Sequence, residues 1–134
     1  MRIKIKDMGN FINTFNNIYP KNTINKINGI SIDSRKIEEN DIFIPLKGKN
    51  YDGHNFIKDV LKTKGTICFN ENNEIKNTRV IQTKSNANSI KKLASSWRKK
   101  IDSNIIAITG SNGKTTTKEL LYYILKDKYK CSKS

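Results

Sequence analysis

Ile105-Ile106-Ala107-Ile108-Thr109-Gly110-Ser111-Asn112-Gly113-Lys114-Thr115-Thr116 runs from apolar residues through two glycines to a lysine and two hydroxyls. A continuous apolar run of this kind predicts a strand buried on both faces of a parallel sheet. Behind it, Leu120, Leu121, Ile124 and Leu125 recur at helical spacing and predict the buried face of a helix. In the turn between, glycines let successive backbone N–H groups face an anion, and the helix N-terminus adds a favourable dipole. Lys114 is placed to reach the outer phosphates of a nucleotide, and the Thr115 hydroxyl to ligate Mg²⁺. The spacing is shorter than GxxxxGK[ST], which requires glycine where Ile108 stands. The stretch predicts an α/β fold with a nucleotide phosphate loop formed by Gly110, Ser111, Asn112, Gly113, Lys114, Thr115 and Thr116. A turn that merely caps a helix is the alternative.

Upstream, short strands alternate with helical patterns. Arg2 to Lys6 alternates as a strand, and Asp7 stands as N-cap to a helix carrying Met8, Phe11, Ile12 and Phe15. Gly29 to Asp33 and Asp41 to Leu46 read as strands, with Pro45 marking an edge or a strand end. From Gly53 the period becomes helical, with Phe56, Ile57, Val60 and Leu61 in one stripe that Gly65 closes. Thr66 to Phe69 and Arg79 to Gln82 are strands again. A longer helix after Asn86 then carries Ile90, Leu93, Ala94, Trp97 and Ile101 on one face and Lys91, Lys92, Lys99 and Lys100 on the other. Those lysines read as a solvated face, and Trp97 as a core anchor.

The chain has 134 residues, enough for about one domain, which excludes a large multidomain enzyme within it. Its formal charge of +14 is spread as +4 over residues 1–50, +7 over 51–100 and +3 over 101–134, mostly as lysine. An abundance of Asn, Ile and Lys, the residues favoured by an A- and T-rich genome, accounts for this basicity without a nucleic-acid partner. Mean hydropathy is −0.67, and no run approaches the ~18 apolar residues of a membrane span. Cys68 and Cys131 lie far apart, and His54 is the one histidine, so neither a disulfide scaffold nor a zinc site is expected. Met1 to Lys6 alternates charge where a signal peptide would carry an apolar stretch, and a cytoplasmic location is expected.

The string from Ile108 to Glu119 resembles the ATP loop of the Mur ligases, which build the peptide stem of bacterial peptidoglycan. Three upstream motifs are similar to the N-terminal domain of that family: Ser31-Ile32-Asp33-Ser34-Arg35-Lys36, Asp41 to Gly48, and Asp52-Gly53-His54-Asn55-Phe56-Ile57. The resemblance implies a small N-terminal α/β substrate-binding domain over residues 1–103. Residues 104–134 would then hold the first strand, phosphate loop and helix of a P-loop ATPase domain.

It further implies that Ile32 and Ser34 touch the uridine end of a UDP-muramoyl peptide under a loop of Lys49, Asn50 and Tyr51, with Arg35 also among the substrate-binding residues. Ser34 and Arg35 also fit a local turn closed by Asp33. ATP and Mg²⁺ are the implied cofactors, with Lys114 offsetting charge on the transferred phosphoryl group and Thr115 holding the metal. Ser111, Thr117-Lys118-Glu119, His54 and Leu93 to Arg98 look most like the member that adds D-Ala-D-Ala to UDP-N-acetylmuramoyl-tripeptide. The member adding the third stem residue usually has Thr where Ser111 stands and is the nearest rival. A UDP-sugar- or nucleotide-binding module without catalysis is the other alternative. His54 is expected to pack or cap rather than to act in catalysis. Family members are about three times as long and monomeric, so this chain is expected to be an N-terminal fragment that is inactive alone.

Overall fold

Asp7 begins the first helix as its residue type predicts. Its carboxylate accepts the Asn10 N–H at 3.2 Å, opening α1 (Met8–Ile18). The computed structural model describes residues 1–72, 74–101 and 103–133. The chain divides into two units, Met1–Ile101 and Asp102–Ser134.

The first unit is built on a five-stranded sheet of β1 (Arg2–Lys4), β2 (Gly29–Ser31), β3 (Ile42–Phe43), β4 (Ile67–Asn70) and β5 (Val80–Gln82). The strands stand side by side in chain order. β1 runs antiparallel to β2, with Ile3 opposite Ile30, and every later neighbour is parallel. Side-chain alternation splits the interior into two cores. Ile42, Ile44, Phe69 and Ile81 face one way, packing with Phe11 and Phe15 of α1 and Leu93 of α3 (Asn86–Arg98). Phe43, Cys68 and Val80 face the other way, onto Ile57 and Val60 of α2 (Ile57–Val60) and Leu61 beyond it. The result is three layers, with α1 and α3 over one face and α2 over the other.

Phe11 and Phe15 lie one helical turn apart and pack 6.3 Å centroid to centroid, and the Trp97 ring sits 5.5 Å from Phe11. Trp97 therefore ties α3 to α1. α3 is capped by Ser85, whose side chain accepts the Asn88 N–H at 3.3 Å.

Pro45 marks a strand end, one of its two expected readings: β3 is central between β2 and β4, and Pro45 follows it where the ladder has ended. Several other expectations needed correction. The helix expected from Gly53 is a 3-10 turn over Gly53–Phe56 running into the short α2, and Phe56 leaves the apolar stripe to stack on Tyr51. Gly65, with φ 69°, closes the following turns. Met8, Ala94 and Ile101 are exposed rather than packed.

The second unit contains α4 (Lys114–Leu125). Ile105 to Ile108, expected as a doubly buried strand, belongs to no ladder among the described residues, and Ile105 and Ile106 are exposed. A strand exists through its pairing, and this segment has no neighbour to pair with. Leu120 and Ile124, expected on a buried face, are 60% and 69% exposed. Leu121 and Leu125 are half-buried, lining a cleft of about 320 Å³ with Ile105, Ile106 and Ile108. No helix of the structure is long and apolar enough to cross a membrane, among the described residues.

Candidate functional site

Because β2 to β5 are parallel, the chain leaves all four at one edge of the sheet, where crevices beyond the strand ends are the usual ligand sites of open α/β folds. β2 leads into Ile32 and Asp33, and Asp33 opens a 3-10 turn over Ser34–Lys36 by accepting the Arg35 N–H at 3.2 Å. The same carboxylate grips the Arg35 guanidinium, Nε at 3.0 Å and Nη2 at 3.2 Å. This pairing holds the Asp33 carboxyl below the usual carboxylate range and raises Arg35, which is pushed the same way by Tyr51. The local turn closed by Asp33 is therefore real, and it fixes where Arg35 stands.

β3 leads through Pro45 into a hairpin-like loop. Lys47 pairs with Asp52 across its neck, and Gly48 N–H donates to Tyr51 O at 2.7 Å. The loop's Lys49, Asn50 and Tyr51 are exposed, and the Tyr51 ring lies nearly parallel to Phe56 at 5.4 Å. Ile32, Arg35 and Tyr51 meet, with Met1 and Asp33, around a cavity of about 250 Å³. Ser34 is half-buried on the adjacent turn, while Lys49 and Asn50 stand on the loop outside that lining. An apolar wall, an aromatic ring and a guanidinium converge, which suits a base with an attached anion. The N-terminal Met1 gave no signal in the sequence; antiparallel pairing of β1 brings it beside Ile32, whose N–H donates to Met1 O at 3.2 Å.

The second unit carries the glycine loop. Gly113 precedes α4 in the left-handed region, φ 75°, a conformation that costs any residue with a Cβ ~1–2 kcal/mol. No side chain caps this helix, so the first-turn N–H groups of Lys114, Thr115 and Thr116 point out of its N-terminus. Lys114 folds back over the loop, its ammonium contacting the carbonyls of Gly110 and Ser111. The lysine, the uncapped amides and the Thr115 and Thr116 hydroxyls fit a nucleotide phosphate with its cation.

The model of the Mur ligase family, catalytic domain, matches residues 26–110, and that of the Mur ligase middle domain matches residues 108–134. The chain belongs to the Mur ligase family. It is similar to the UDP-N-acetylmuramoyl-tripeptide–D-alanyl-D-alanine ligase of Bacillus subtilis (strain 168), 32% identical over 111 residues, 81% of this chain and 24% of that protein. It is also similar to the UDP-N-acetylmuramoyl-L-alanyl-D-glutamate–2,6-diaminopimelate ligase of Cytophaga hutchinsonii, 37% identical over 106 residues, 75% of this chain and 22% of that protein. Among solved structures, the MurF ligase from Thermotoga maritima in complex with ADP superposes with a TM-score of 0.70 at 34% identity, covering 74% of this chain and 23% of its own. The chain thus spans about a quarter of the length of these relatives. A Mur ligase sequence accounts for the mixed α/β sheet of the first unit and for the basic loop of the second.

His54 is the residue whose surroundings sequence reasoning missed most. Its ring contacts Asp52 and Asn86, and Glu71 lies 4.0 Å away. Asp52, two residues before His54, was a visible signal. Asn86 stands 32 residues further on and offered none.

Proposed function

We propose that this chain carries the UDP-muramoyl-binding and phosphate-loop parts of the Mur ligase that joins D-Ala-D-Ala to UDP-N-acetylmuramoyl-tripeptide. The observation that carries the reading is the meeting of Ile32, Arg35 and Tyr51 at the strand ends of a chain that also bears an uncapped glycine loop. Its similarity to the Bacillus subtilis tripeptide–D-alanyl-D-alanine ligase supports this member of the family, as does Ser111 in the loop.

In that reaction ATP supplies the phosphoryl group that activates the terminal carboxylate of the tripeptide, and the amine of D-Ala-D-Ala displaces phosphate from it. This chain's residues bind and orient. Gly110, Ser111, Asn112 and Gly113 bend the backbone so that the amides of Lys114, Thr115 and Thr116 hold phosphate oxygens. The Lys114 ammonium offsets negative charge on the transferred group, and the Thr115 hydroxyl would hold Mg²⁺, which would neutralise charge on the phosphates. At the other site Ile32 and Tyr51 sandwich the uracil, Ser34 supplies a hydroxyl to the nucleoside, and Arg35, together with Lys49 and Asn50 on the loop, faces its pyrophosphate.

The test is a calorimetric titration of the chain with UDP-N-acetylmuramoyl-tripeptide and, separately, with the corresponding dipeptide. Saturable binding that favours the tripeptide supports the reading, and Ser34→Ala is expected to weaken it by about 1–2 kcal/mol. Preference for the dipeptide transfers the chain to the ligase of the third stem residue, a reading favoured by the Cytophaga hutchinsonii similarity. No binding of either ligand overturns both.

A further inference from the structure

His54 is a buried side chain, 9% exposed, and both of its ring nitrogens are engaged. The hydrogens of this network follow from its acceptors alone. Pro45 O can only accept, so the Asn86 group 2.8 Å from it is the NH₂, and Asn86 Oδ1 accepts the Thr83 hydroxyl at 2.7 Å. That same NH₂ lies 3.1 Å from His54 Nε2, which must carry the lone pair. The ring proton then sits on Nδ1 and is donated to the acceptor-only carboxylate of Asp52 at 2.6 Å. Glu71 closes the arrangement by accepting the Asn86 backbone N–H at 2.5 Å, at the start of α3.

Asn86 is completely buried and opens α3, which packs on the sheet. Asp52 sits at the neck of the exposed loop, paired with Lys47, and its carboxylate also accepts the His54 backbone N–H at 2.9 Å. His54 therefore joins Asn86, at the start of α3, to the foot of an exposed loop whose Tyr51 ring stacks on Phe56 of the following 3-10 turn and not on the sheet.

We infer that His54 is a positioning residue, which through Asp52 holds the Lys47–Asp52 loop in register with Ile32 and Arg35 so that Tyr51 meets the nucleoside. This rests on the proposed UDP-muramoyl-binding role of the loop. Hydrogen exchange on the unliganded chain tests the mechanical half. His54→Ala is expected to speed exchange of the Gly48 and Gly53 amides about tenfold, the factor that goes with losing one hydrogen bond, while the sheet amides of Ile67 and Cys68 keep their rates. Because the link needs both bonds, His54→Asn, which keeps Asp52 but loses Asn86, and His54→Gln, which reaches toward Asn86 but loses Asp52, should each exchange as fast as His54→Ala, and slow exchange restored by either would show that the bridge is not needed. Equal acceleration at Ile67 and Cys68, or unchanged rates at Gly48, overturns the inference.

Calorimetry with UDP-N-acetylmuramoyl-tripeptide tests the functional half. His54→Ala and His54→Asn, which both lack the bond to Asn86, are each expected to bind about tenfold more weakly. A parent chain that does not bind brings down the substrate reading itself. A parent that binds, with His54→Ala binding equally well, brings down the positioning role alone.

Discussion

Arg2 and Asp41 stand 39 residues apart, yet the Arg2 guanidinium holds the Asp41 carboxylate in two bonds, Nε at 2.7 Å and Nη2 at 3.0 Å. The Asp41 side chain is completely buried, and its other duty is to accept the Glu38 N–H at 3.0 Å. The pairing raises the Arg2 pKa, first through the hydrogen bond to Asp41. Arg2→Met should cost about 3 kcal/mol in urea denaturation, because it leaves a buried charge without its partner; a change below ~1 kcal/mol would show the pair to be dispensable. Cys68 makes a second residue-scale case. Burial pushes its thiol up to about 12, so in the native chain an alkylating reagent at pH 8 should modify the half-buried Cys131 and spare Cys68 until denaturant is added. Mass spectrometry of the two peptides checks this. Asp52 gives the pH dependence. The backbone N–H and the ring of His54 hold its carboxyl below the usual carboxylate range, so its contribution is full at neutral pH and is lost as the pH falls through that lowered value. The exchange protection of Gly48 should therefore persist at pH 5 and decline below about pH 4.

At the scale of elements, the Asp7 cap and the buried stripes of the first unit, such as Phe11, Phe15, Ile57, Val60 and Leu93, were legible, whereas burial in the second unit was not. Asp7 caps α1 as its residue type and position led one to expect, and Ser85, which the sequence reading did not single out, caps α3. Asp7→Ala should cost about 1 kcal/mol, measured as a shift in thermal unfolding. α4 differs, since Gly113 starts it through backbone freedom alone. Gly113→Ala should loosen the loop and abolish any binding of ADP by the chain in calorimetry, and undiminished affinity would show that the left-handed turn is not needed. Four apolar residues in a row at Ile105 did signal the right segment, but a run of β-branched residues reports only that a partner is wanted. Among the described residues no strand pairs with it, and Leu120 and Ile124 are left exposed for the same reason.

For the molecule as a whole, the two units differ in what holds them. The first has two cores separated by a sheet, whereas no residue of α4 is buried. Amide exchange should accordingly find α3 well protected and α4 exchanging rapidly, and equal protection of the two helices would contradict this. Hydrolysis of ATP by the chain alone is expected to be undetectable, even with UDP-N-acetylmuramoyl-tripeptide and D-Ala-D-Ala present, since among the described residues no paired strand flanks the loop to hold it rigid. Turnover that disappears in Lys114→Ala would show that the loop needs no such support.

What the amino-acid order by itself determined was local: the Asp7 cap, the periods of α1 and α3, the alternation of the sheet strands, the glycines before Lys114. These depend on near neighbours in the chain, whose geometry the backbone imposes within a few residues. Ile32, Arg35 and Tyr51 were likewise visible as motifs, but their meeting around one cavity, with Met1 beside them, follows from the parallel order of the strands. Asn86 reaching His54 and Arg2 reaching Asp41 belong to the same class. A buried polar group must find a partner wherever the fold provides one, and that place is decided by the sheet rather than by separation along the chain.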